Sequence, residues 1–236
     1  MKQYKNPVRI CGCKLVELPY LRKHLVDQST LVVGERRGDE GIIGAVREVV
    51  KEGNIICTDM DPVEPGSIVS NLVDEFWIDY VQEDFTKFPD DIAREGLCNQ
   101  IVCINVLEHF GMGWGDKSAI LDWDKDLDGL NKMMDLMGDS PTARTIITVP
   151  AGPPIFYGDC LPSGLPFLRR YDKQRMIIIR NLVASRGFKV TNEEFFFSPD
   201  LINWTSKDIN EDTINIGYAQ YQLASPNFIW GFIIVH

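Results

Sequence analysis

The chain has 236 residues, of which 44% are hydrophobic and 25% charged, a balance suited to a globular fold with a substantial buried core. A formal net charge of -10 argues against general nucleic-acid binding, because an acidic surface repels phosphate backbones. No apolar run reaches the ~18 residues of a membrane span, and "MKQYKNPVRICGCK" carries basic residues without the apolar core of a signal peptide; both features predict a cytoplasmic protein.

Residues 1–29 read as an N-terminal extension. Its "CGC", Cys11 to Cys13, lacks a second Cys or His pair at zinc spacing. "TLVVG" (30–34) is a strand candidate, followed by a turn with two glycines, Gly34 and Gly38. "DEGIIGAVREVVKEG" (39–53) puts Ile42, Ile43, Val46, Val49 and Val50 on one helical face, with Gly53 to end it. "NIICTD" (54–59) and "WIDYVQED" (77–84) are the second and third strands, and "NQIVCINVLEHF" (99–110) holds the fourth. "TARTIITVP" (142–150) is a fifth, stopped by Pro150. A helix over 172–188 and strands over 189–197 and 227–236 complete the order. Strand alternating with helix predicts an α/β fold, doubly wound, with a mostly parallel sheet covered on both faces. Three of the six cysteines lie in or beside the strands, where a free thiol packs as a small hydrophobe.

In such a sheet, ligands sit beyond the carboxyl ends of the strands. The first strand leads into Gly34-Glu35-Arg36-Arg37-Gly38. The second ends at Asp59, a carboxylate able to accept both hydroxyls of a ribose, with Met60 next. The third leads to Asp84 and Phe85, an acceptor and an aromatic face suited to a purine. The fourth leads to Asn105 and "VLEH".

These pieces, "LVVGERRGDEG", "IICTDMDP", "VQEDFTKFP", "IVCINVLEHFGMG", "IITVPAG" and "LVASRGFKVTNEEFFF", resemble the class I S-adenosylmethionine-dependent methyltransferases, and "IWGFIIVH" fits that family's last strand. The "VLEHFGMG" stretch resembles an uncharacterised branch of the superfamily. The resemblance implies a seven-stranded sheet with an antiparallel last strand, in a single methyltransferase-like domain over 1–236. It implies S-adenosylmethionine as cofactor, with Gly34, Glu35 and Gly38 near its methionine part. Asp59 and Met60 would lie at the ribose, Asp84 and Phe85 at the adenine, and Asn105 after the fourth strand. Two departures stand out: Val32 replaces the acidic residue often found two positions before the first glycine, and Arg36 replaces the middle glycine.

Methyl transfer from a sulfonium needs alignment and exclusion of water, and a hydroxyl or ammonium acceptor also needs a base. His109 is the candidate catalytic base, with Asp116 and Tyr157 as backups. Some methyltransferases bind a divalent metal through E-x-x-E-H. Asn105 breaks that pattern here, leaving Glu108 and His109, so a metal is not expected. "DWDKDLDGLNKMMD" (122–135) matches calcium-loop spacing from Asp124 to Asp135, but Asp at the twelfth position favours an acidic helix start capped by Asp126 or Asp128. Segments 151–171 and 198–226 are candidate substrate covers. Trp114, Tyr157, Arg170 and Tyr171, with Arg169 and Trp204, are candidate lining for a small-molecule or sugar-like acceptor, without nucleic-acid or membrane partners. Two alternatives stay open: a binding or scaffold protein that kept the fold without catalysis, and another nucleotide-cofactor enzyme, which the missing G-x-G-x-x-G disfavours.

Overall fold

The computed structural model describes residues 14–35, 40–75, 77–91, 98–112, 121–137, 139–152, 169–199, 203–206, 209–212, 214 and 228–236. Seven strands form one sheet: β1 (Thr30–Val33), β2 (Ile55–Asp59), β3 (Asp79–Gln82), β4 (Gln100–Ile104), β5 (Arg144–Pro150), β6 (Lys189–Phe197) and β7 (Phe228–Val235). Their order is β3-β2-β1-β4-β5-β7-β6. The pairs from β3 to β5 are parallel, and β7 runs antiparallel to both β5 and β6. The helices are α1 (Lys14–His24), α2 (Glu40–Val49), α3 (Ile68–Asp74), α4 (Lys125–Leu136) and α5 (Lys173–Ser185). None of the described helices is long and apolar enough to cross a membrane.

Residues of β1, β4 and β5 alternate between two cores, as the two-residue period of a strand requires. Val32, Val102, Ile104 and Ile146 pack with Leu21 of α1, Ile42, Ile43 and Val46 of α2, and Leu72 of α3. Leu31, Val33, Ile101, Cys103, Ile147 and Val149 pack with Leu130, Met133 and Met134 of α4, and Met176, Ile179 and Val183 of α5. The central strands are thereby buried on both faces, which is why they read as near-continuous apolar runs.

Helix α1 stands where the sequence suggested only an extension. Its buried face is Glu17, Tyr20, Leu21 and His24, at helical spacing. Two of those four positions are polar and Pro19 lies inside the helix, so apolar periodicity did not reveal it. Tertiary bonds hold it instead: the Tyr20 hydroxyl donates to the Asn192 carbonyl at 2.9 Å, at an irregularity in β6.

The acidic stretch 122–135 is helical from Lys125, as its favoured reading expected, but Asp126 does not serve as an N-cap. It is fully buried and pairs with Arg169 and Arg175. Gly129, the sixth position of the calcium-loop count, has another use. A Cβ there would come within 2.5 Å of the Phe110 ring, so the glycine lets α4 pack closely on the turn after β4.

Candidate functional site

The carboxyl ends of β1, β2, β4 and β5 come together at one rim of the sheet. Gly34 closes β1 with φ +81°, a left-handed conformation that favours glycine. Val106, just after β4, places its methyl groups 2.5 and 2.6 Å from where a Gly34 Cβ would stand. The turn therefore demands glycine twice, for its backbone angle and for the close approach of the β4 end. The Gly34 amide donates to the Thr58 carbonyl at 2.7 Å, and the Glu35 amide to the same oxygen at 3.3 Å. Glu35 is itself buried, and its charge helps burial raise the Cys57 thiol pKa.

Asp59 ends β2 and accepts from the Asp61 amide at 3.0 Å. Met60 beside it is 71% exposed, an apolar side chain held open at the rim. Asp84 accepts from both the amide and the hydroxyl of Thr86, at 3.0 and 2.8 Å, and so caps a short 3-10 turn over Phe85–Lys87. Phe85 corrects the expectation of a purine-facing ring. It is only 4% exposed and packs against Phe88 and Phe110, because the turn directs it into the core. Gly38, Trp114, Asp116 and Tyr157 lie outside the described residues.

After β4 the polypeptide bends sharply. Asn105 takes a left-handed φ of +58°, and its amide donates to the Thr148 carbonyl of β5 at 3.0 Å. A 3-10 turn, Leu107–His109, follows. His109 is one-quarter exposed, and its Nε2 lies 3.9 Å from Glu108 Oε1. Glu108 is fully buried, and neither of its carboxyl oxygens has a hydrogen-bond partner among the described residues. Burial holds its pKa well above the usual carboxylate range. The Glu17 charge adds to this, while its own amide, Lys14 and Arg169 act the other way. Glu17 arrives from α1, is equally buried, and accepts from the Thr148 hydroxyl at 3.2 Å. Lys14 Nζ stands 3.7 Å from Glu17 Oε2.

A second set of charges stands behind that turn. The Arg169 guanidinium donates to the carbonyls of Trp123 at 2.6 Å, Asp122 at 3.3 Å and Phe110, and pairs with Asp126. Its backbone amide donates to the Glu108 carbonyl at 3.1 Å, and the Tyr171 amide to the Pro150 carbonyl at 3.0 Å. Arg169 is thus a clamp on the polypeptide, and it also lines the depression that Arg170 shares. Tyr171 corrects the acceptor-lining expectation: it is fully buried, and burial together with Asp126 raises its phenol pKa far above the ordinary value. Arg170 lines a depression of about 260 Å³ with Trp123 and Gln174. Burial lowers its pKa to about 10, which still leaves a cation at neutral pH. Among the described residues, no group of three or more His, Cys, Asp or Glu side chains is placed to hold a metal ion.

The role of the post-β4 turn as a buried polar centre was not evident from the sequence. The "VLEH" motif pointed to His109, whereas the fully buried polar group of that turn is Glu108, and the carboxylate that raises its pKa, Glu17, belongs to a helix that carried no signal.

The strand order, the antiparallel β7 and the glycine turn after β1 define the fold of the class I S-adenosylmethionine-dependent methyltransferases. Several solved structures share it. The cyclase SpnF superposes with a TM-score of 0.58 at 11% identity, over 98% of this chain and 85% of that one. Magnesium protoporphyrin IX methyltransferase from Synechocystis, with bound SAH, gives 0.54 at 11% identity, over 95% and 84%. Mitomycin 7-O-methyltransferase gives 0.53 at 12% identity over 95% of this chain, which spans 54% of that protein. Identities this low establish the fold and nothing finer. No protein-family profile and no curated protein matches the sequence.

Proposed function

We infer that the protein binds S-adenosylmethionine and transfers its methyl group to an oxygen or nitrogen of a small-molecule or sugar-like acceptor. The observation that carries this reading is the strand-end series. A glycine turn that tolerates no side chain is followed, one strand over, by a carboxylate with an exposed apolar neighbour, Asp59 and Met60. That pair offers acceptors for a ribose and an apolar surface for a base. Asn105 adds a buried oxygen acceptor next to Val106, which packs against the glycine turn. Asp84 and Phe85 fit less well, since one caps a turn and the other is core. Adenine recognition then rests on Met60 and on backbone at the β3 end.

When bound, the cofactor supplies an electrophilic methyl group on a sulfonium. The chain has to orient the acceptor, exclude water and take up a proton. His109 is the group we assign to the proton, because it follows β4 and is partly exposed. Arg170, in the depression beside Trp123, is the residue we assign to an acidic or polar part of the acceptor. Cys57, Cys98 and Cys103 are free and buried, a state that suits a reducing cytoplasm.

Calorimetry with S-adenosylmethionine against NAD tests the cofactor assignment. Binding of the first alone is expected, with Asp59→Ala weakening it by ~1–3 kcal/mol through lost charge-assisted hydrogen bonds. Unchanged affinity in a folded Asp59→Ala variant removes the ribose assignment, and preference for NAD removes the function. His109→Gln is expected to keep cofactor affinity and lose ~10²–10⁴ in turnover, the usual worth of a general base. The fold itself does not decide between methyl transfer and other chemistry, so binding is measured first.

A further inference from the structure

The turn after β2 is held from the edge of the sheet, where β3 lies. The register of β2 and β3 ends at Asp59 opposite Gln82, and the Glu83 amide donates to the Asp59 carbonyl at 3.0 Å. Beyond that pair the ladder stops, yet two side chains of β3 reach past it. The Tyr80 hydroxyl donates to the Asp61 carbonyl at 2.5 Å, and Gln82 Nε2 donates to the Met60 carbonyl at 3.3 Å. The two stand two residues apart, so they share one face of the strand. Tyr80 is the firmer of them. Its ring packs against the core that includes Ile42, Ile43 and Leu72, whereas Gln82 is exposed.

Those bonds act on a carboxylate one step away. The peptide unit between Met60 and Asp61 gives its N–H to Asp59 Oδ1 at 3.0 Å, and its carbonyl accepts from Gln82. Tyr80 fixes the next carbonyl along. The plane of that peptide sets where Asp59 Oδ1 lies, so the carboxylate is aimed by groups that need not touch a ligand. A carboxylate that accepts one amide keeps capacity for a vicinal diol, since its two oxygens offer about four acceptor sites. A group already aimed binds more tightly than one that must be ordered as the ligand arrives. We propose that Tyr80, seconded by Gln82, is a positioning residue for cofactor recognition: it presents Asp59 to the ribose hydroxyls through the turn at Met60 and Asp61. The proposal rests on the cofactor reading above and adds two residues of the edge strand to it.

The test is a double-mutant cycle on the full chain, read by calorimetry with S-adenosylhomocysteine. Tyr80→Phe keeps the ring and removes only the hydroxyl. It is expected to weaken binding by about 3- to 10-fold, the scale of one net hydrogen bond. In an Asp59→Ala background the same change is expected to make no further difference, because the group it acts through is gone. Gln82→Met, close in length but without the donor, is expected to show the same pattern at smaller size, since its bond is longer and exposed. The 2′,3′-dideoxy analogue of S-adenosylhomocysteine lacks the ribose hydroxyls, so wild type and Tyr80→Phe are expected to bind it equally. Unchanged affinity of Tyr80→Phe for S-adenosylhomocysteine would overturn the proposal. So would an equal loss with and without the Asp59 carboxylate, or an equal loss toward the dideoxy analogue, since either means that the hydroxyl only supports the fold. A wild type that does not bind S-adenosylhomocysteine, or full affinity in Asp59→Ala, removes the cofactor reading or its ribose assignment and this proposal with it. That failure is distinct, because it appears before Tyr80 is changed.

Discussion

Two sets of carboxylates in this molecule are satisfied in opposite ways. At the ends of β2 and β3, Asp59 and Asp84 accept from backbone amides only two residues further on. Behind β4, Asp126 is fully buried and depends on Arg169 and Arg175, more than forty residues away in sequence. The first arrangement is local, and it leaves the carboxylate at the rim where a ligand can reach it. The second is non-local. It ties α4, the turn after β4 and the start of α5 into one unit. Charge in a core is there to be neutralised, whereas charge at a strand end can be spent on a ligand.

The strongest way to break this comparison is Arg169→Met. It removes the donor for the carbonyls of Phe110, Asp122 and Trp123 and takes one cation from Asp126. A loss of ~3–5 kcal/mol in urea unfolding is expected, the scale for one partner taken from a buried pair. Asp59→Ala is expected to cost far less stability while it weakens cofactor binding. Equal stability losses from the two would erase the distinction between the regions.

Gly34→Ala tests the rim from the side of sterics. Its added methyl meets Val106 and forces a left-handed backbone on a residue that resists it. A loss on the order of 1–3 kcal/mol is expected in the same unfolding assay. Val106→Ala in the Gly34→Ala background should recover part of it, and no recovery would place the whole cost in the backbone.

The pH dependence sharpens the contrast further. Glu108 has a raised pKa in the folded chain and, once unfolded, returns to its ordinary value near 4.5. The folded state therefore holds the proton more tightly. The contribution of Glu108 to stability is complete below about 4.5, falls as pH rises above that value, and levels off once the raised folded value is passed. Glu108→Gln, which cannot ionise, should remove a slope of at most ~1.4 kcal/mol per pH unit from the difference between the two stability profiles. Parallel profiles for the two proteins would show that Glu108 is not held protonated. The smallest effect is expected from Arg22→Ala, which breaks an exposed pair with Glu48. A change of ~0.2–1 kcal/mol, shrinking in high salt, is the scale of such pairs.

By itself, the sequence determined the sheet. All seven strands lie within segments read from the sequence; the central ones and β7 were legible because a strand buried on both faces must be apolar along its length, whereas the edge strands β3 and β6 are only partly buried. It also marked the strand ends Gly34, Asp59, Asp84 and Asn105, since in such a sheet the residue after each strand is set by chain order. Tertiary structure decided the rest. Phe85 and Tyr171 turned inward, because an aromatic ring beside a strand end can face core or ligand and only the packing of Phe88, Phe110 and Asp126 settles which. Helix α1 carries Glu17 and His24 on its buried face, so its pattern lacks the apolar stripe that marks a helix. Asp126 belongs to no local pattern at all: its partners come from beyond β5, and an ion pair between distant residues leaves no trace in the spacing of either. Periodicity reports what a residue does with its neighbours in the chain, and buried charge is satisfied by neighbours in space.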